Sequence, residues 1–143
     1  MSTSDKLDVV KIVVAVLGAI PALWVYYNNS RLRRAEWLAS LYEKFYERAD
    51  LKDIRETLDC EGGQSAGIDN LVNEESAGFT DYLNFFEFVA VLRKSNQLTN
   101  EQIEDLFGYY LDCLESCQAV RTYVAKKGYE QLDRLLQERA QQK

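Results

Sequence analysis

The hydrophobic pattern opens on one unbroken apolar run and then changes period. From Val9 to Tyr27 the chain reads VVKIVVAVLGAIPALWVYY, and Lys11 is its only charge. A helix needs roughly 20 mostly apolar residues to cross a bilayer. With Leu7 just ahead of it, this run predicts one such helix. After it, Trp37, Leu38, Leu41, Tyr42 and Phe45 recur at helical spacing, with Glu36, Glu43, Lys44 and Glu47 on the other face. No glycine or proline lies between Ala22 and Asp59, so the apolar helix is expected to run on into the amphipathic one. Asp50 can restart a helix whose apolar face is Leu51, Ile54 and Leu58.

Residues 60–79, CEGGQSAGIDNLVNEESAGF, hold four glycines and read as a loop, with one helical turn around Asp69 to Asn73. They lack the Lys-Ser/Thr of a phosphate-binding loop and any strand before it. Residues 80–95, TDYLNFFEFVAVLRKS, predict a helix capped by Thr80 or Asp81. Leu83, Phe85, Phe86, Phe88, Val89, Val91 and Leu92 cover most of its sides, the mark of a buried helix. Glu87 interrupts that surface and needs a partner; Arg121 is the expected one. Thr99 and Gln102 have capping-box spacing ahead of Ile103, Leu106, Phe107, Tyr110, Leu111 and Leu114. Cys113 and Cys117 read as small core residues, and the helix is expected to continue from Ala119 to Lys127, with Gly128 as its stop. Tyr129 to Ala140 makes a last amphipathic helix through Leu132, Leu135 and Leu136.

The predicted fold is therefore all-α. An N-terminal transmembrane anchor over residues 1–30 precedes a helical domain over residues 31–143. That domain is a bundle of about five helices around Phe85, Phe86, Val89, Leu106, Tyr110 and Leu114. Arg31, Arg33 and Arg34 follow the run at once, while the N-terminal flank is mixed, with Asp5, Lys6 and Asp8. Clustered arginine marks the cytoplasmic side, and Trp24, Tyr26 and Tyr27 suit the headgroup layer. The expected topology is single-pass, with the N-terminus outside and the domain in the cytoplasm. A cleaved signal peptide would carry its basic cluster before the apolar core, and a surface-lying helix would have a polar face. Ala15, Gly18, Ala19 and Ala22 have small-xxx-small spacing, and Pro21 is expected to kink the helix. The expectation is a homo-oligomer packed through this stripe, with Trp37, Tyr42, Tyr46, Tyr82 and Tyr109 as a second face.

Charge and composition narrow the chemistry. Net charge is −6, which argues against general nucleic-acid binding. The absence of histidine excludes His-based catalysis and most zinc and iron sites. Cys60, Cys113 and Cys117 have no metal-ligand spacing. No metal or cofactor is expected, and no catalytic residue is assigned. The only proline is Pro21, which suits a helical domain after it.

The stretches RAEWLASLYEKFY, LNFFEFVAVL, IEDLFGYYLDCL and VRTYV…GYEQL, behind a membrane helix and basic residues, resemble a bacterial family of small membrane-anchored proteins of unassigned activity. The layout is also similar to that of membrane effectors of antiphage systems, including accessory proteins of type III CRISPR loci. That likeness implies a bacterial inner-membrane effector whose cytoplasmic domain binds a cyclic oligonucleotide and perturbs the membrane; on that reading the expected oligomer is a tetramer rather than a dimer. Candidate ligand residues are Arg93 and Lys94 at one helix end, and Arg121, Tyr123, Lys126 and Lys127 on another helix. Arginine forks to phosphate and stacks on rings. The alternative is a membrane-tethered scaffold recruiting a protein partner, because residues 36–92 hold thirteen acids against Lys44, Arg48, Lys52 and Arg55.

Overall fold

A computed structural model of the chain describes residues 3–59, 70–73 and 76–142; for residues 3–20, 22 and 142 it describes the backbone alone. The described residues are helical, with no strand among them, as the sequence predicts. The helices are α1 (Thr3–Glu47), α2 (Ala49–Leu58), α3 (Ala77–Lys94), α4 (Asn100–Ser116), α5 (Gln118–Lys127) and α6 (Glu130–Gln142). Residues 70–73 form a helical turn, where the sequence places one. The glycine-rich loop at residues 60–69, Cys60, and the side chains of Ala15, Gly18, Ala19 and Ala22 lie outside the described residues.

The chain forms two compact units, Met1–Tyr42 and Glu43–Lys143. The first is carried by α1, which stays helical through Pro21. Among the described residues no helix is long and apolar enough to cross a membrane. The side chains of residues 1–20, most of the apolar run, are not among them.

In the second unit, α2 packs on α3 and α4, α3 on α6, and α4 on α5 and α6. The centre is aromatic. Phe45, Phe86 and Phe107 are fully enclosed, with ring centroids 5.5 Å apart for Phe45 and Phe86 and 5.4 Å for Phe45 and Phe107. Edge-to-face contact is the arrangement that ring quadrupoles favour. Phe85 stacks on Phe45 at 4.8 Å, and Tyr110 meets it edge-on at 5.0 Å. Extended backbone at Arg48 separates α1 from α2. Arg55 of α2 then reaches back to the end of α1. It donates to the carbonyl oxygens of Phe45 and of Tyr46, the latter at 3.2 Å, and its guanidinium lies 4.9 Å from the Phe45 ring centroid. A helix end leaves its last carbonyls without intrahelical donors, and here one cation supplies them.

Several local expectations hold. The Thr99/Gln102 capping box is complete, Gly128 ends α5 in the left-handed region at φ 87°, and Leu51, Ile54 and Leu58 form the buried face of α2. Others are corrected. Ser76, not Thr80 or Asp81, caps α3, because the helix begins a turn earlier and buries Phe79. That helix is not enclosed all round: Phe88 is 49% exposed and Val91 41%. Tyr82, expected to offer a face to a partner, is wholly enclosed. Cys113 is buried as expected, but Cys117 is only half-buried and sits in extended backbone between α4 and α5.

Candidate functional site

The expected cations fall into two separate places. Arg93 and Lys94, in the last turn of α3, line an open hollow of about 510 Å³. Asn96, Asn100, Gln131 and Arg134 complete its polar wall. The chain turns sharply there: Asn96 takes the left-handed conformation at φ 58°, a value asparagine tolerates better than most residues. That turn carries the chain from α3 into α4, whose N-cap Thr99 and first residue Asn100 line the same hollow. Arg121 and Lys126 line a different hollow, of about 610 Å³, with Asp133 and Gln137. Tyr123 is buried and packs against Phe79 at 5.5 Å, and the Lys127 ammonium lies 5.5 Å from its ring centroid.

The first hollow is the more strongly cationic. Lys94 and Arg134 are exposed and have no ion-pair partner among the described residues. Arg93 is half-buried and engaged: it donates from Nη2 to Glu138 Oε2 and from Nε to Asn100 Oδ1, each at 2.5 Å. Among the described residues Glu138 is also the one carboxylate on the wall of this hollow.

Glu87 has a role other than the one expected. Its two oxygens accept from the backbone N–H groups of Gln131, at 3.2 Å, and Leu132, at 2.7 Å. These are orphan donors at the start of α6, so the carboxylate caps that helix and complements its dipole. The expected bridge to Arg121 is replaced by this cap.

At the other end of α6 stands Arg139, only 7% exposed. It pairs with Glu104, donates from Nη2 to Asp112 Oδ1 at 2.6 Å and to the Gly108 carbonyl at 3.3 Å, and faces Glu115 at 3.9 Å. Burial pushes its pKa below the ordinary arginine value. This clasp ties α6 to α4. Arg134, Glu138 and Arg139 are not among the residues singled out from the sequence, which assigns the last helix only its leucine stripe. For Arg139 a signal was present: it continues the apolar stripe Leu132, Leu135, Leu136 at helical spacing.

In the first unit, Leu23, Trp24, Val25, Tyr26 and Tyr27 are all exposed, as is Leu32 beyond them. Five consecutive positions cover every side of a helix. Arg31 and Arg33 follow on the same exposed stretch. No protein-family model, curated protein or solved structure matches the chain.

Proposed function

We propose that this protein is a membrane-anchored, non-enzymatic effector whose helical domain binds a small anionic ligand. The observation that carries the reading is the hollow at the end of α3, where Arg93, Lys94 and Arg134 gather on an otherwise acidic protein. Phosphate is the natural complement to such a group, through charge and bidentate arginine geometry. The ligand class we assign is a cyclic oligonucleotide, in keeping with the layout shared with antiphage effectors.

The anchor is supported by α1. An apolar collar exposed on every side, followed by arginines, fits a helix leaving a bilayer on its cytoplasmic face. Neighbouring copies in the membrane would form a homo-oligomer, tetrameric on the effector reading. A ligand moves such an anchor only by its difference in affinity for two states. The deciding experiment is calorimetry of the full chain in lipid nanodiscs against linear and cyclic nucleotides. Binding that weakens in K94Q and R134Q is expected; absence of heat up to millimolar ligand overturns the reading. A cytoplasm-only reporter fused after Lys143 should be active; a silent one reverses the topology.

The scaffold reading keeps one observation of its own. Glu43, Glu47, Asp53 and Glu56 are all exposed, which suits a basic protein partner. It becomes the better account if no anion binds.

A further inference from the structure

The hollow at the end of α3 already holds a carboxylate, and that carboxylate points to what the site takes. Arg93 is the most buried of its three cations, and Glu138 occupies it through one short contact on the Nη2 nitrogen. Lys94 and Arg134 stand exposed on the same wall and form no ion pair among the described residues. Arg134 and Glu138 are both on α6, one helical turn apart, so they reach the hollow side by side. An anion drawn in by the two free cations arrives next to the oxygen that neutralises the third.

We infer that this hollow is a phosphate site in which Glu138 is a resident counter-ion, and that the ligand must displace it from Arg93. This rests on the anion-binding reading above and adds the ligand's charge class and its regulation. A single-charged carboxylate gains nothing over Glu138 at Arg93. A ligand carrying at least two negative charges, on one terminal phosphate or on two neighbouring phosphodiesters of a cyclic oligonucleotide, satisfies Arg93 while also meeting Lys94 and Arg134. The exchange is feasible because the Arg93–Glu138 pair is partly exposed, with side chains 24% and 41% accessible, and pairs of that kind are weak. Two further polar attachments hold α6: Glu87 caps its first turn, and the enclosed Arg139 binds its far end. Glu138 precedes Arg139 directly in the chain, so displacing it alters the held part of α6 next to the clasp on α4.

The chemistry is that of a phosphate group, and both a soluble ligand and a lipid headgroup carry one. The test therefore uses one readout in three settings. The full chain is placed in nanodiscs of zwitterionic lipid, in the same discs with inorganic pyrophosphate, and in discs containing phosphatidic acid. Reactivity of Arg134 toward phenylglyoxal is followed by peptide mass spectrometry. Pyrophosphate is expected to protect Arg134 at a concentration about two- to fivefold lower in E138Q than in the parent, the range a partly exposed ion pair can contribute. The K94Q variant should need more pyrophosphate than the parent. Equal half-protection in E138Q and parent overturns the counter-ion role while the anion site stands. Protection only by phosphatidic acid keeps the phosphate site and overturns a soluble ligand. No protection by pyrophosphate or lipid overturns both inference and site.

Discussion

Tyr82→Phe should stabilise this protein, although it removes a polar group from the centre of the fold. The Tyr82 side chain is fully enclosed, with its ring 5.1 Å from Phe86 and 5.9 Å from Phe45. Its hydroxyl has no hydrogen-bond partner among the described residues. A buried hydroxyl left without a partner costs about 1–3 kcal/mol. Deleting one oxygen leaves a void of only about 10–15 Å³, worth roughly 0.3 kcal/mol at the usual cavity cost. The net expectation is a gain of about 1–2 kcal/mol. The assay is urea unfolding of the full chain in mild detergent, followed by far-UV circular dichroism because both tryptophans, Trp24 and Trp37, lie in the first unit.

A second arm uses pH. Burial holds the Tyr82 phenol well above its ordinary value of 10.0. The folded state therefore keeps a proton that the unfolded chain releases. The resulting stability is complete below about pH 10 and declines as pH rises past it. Tyr109, through its hydrogen bond to Asp59, and Tyr129, through burial, are raised as well. The alkaline decline should thus be shallower in Y82F but not absent. A Y82F protein less stable than the parent by about 1 kcal/mol would refute the reasoning by showing the hydroxyl to be bonded in the fold, and an unchanged alkaline slope would refute the raised phenol pKa.

Three further outcomes follow from the packing. Phe86→Ala should cost about 3–5 kcal/mol in the same unfolding assay, since the ring is enclosed by Phe45, Tyr82, Phe85 and Phe107. Arg139→Met should cost about 2–4 kcal/mol, less than a deeply buried pair because Glu104 and Asp112 are about half exposed, and adding E115Q should restore part of it. Glu87→Gln, which keeps one acceptor but loses the charge at the start of α6, should cost about 1–2 kcal/mol and raise amide exchange at Gln131 and Leu132; unchanged exchange there would remove the cap from the account.

What was legible in the sequence was whatever acts within one turn of helix. The Thr99 capping box and the stop at Gly128 depend on residues three or four apart, and the apolar spacing placed the buried faces of α2 and α6 and most of that of α4, where Leu106 and Tyr110 are only half-buried. The start of α3 was missed by a turn because Ser76 and Thr80 are both competent caps, and burial of Phe79 decides between them. The partners of the charged residues depended on the tertiary structure alone. Glu87 meets Leu132 across 45 positions, Arg93 meets Glu138 across 45, and Arg139 meets Asp112 across 27. Linear spacing says that a buried charge needs a partner, since desolvation is costly. It does not say which, because any of several cations or helix ends satisfies that need equally well until packing brings one within reach. The hollow at Arg93, Lys94 and Arg134 is a consequence of that packing: it exists only because α3 and α6 lie side by side.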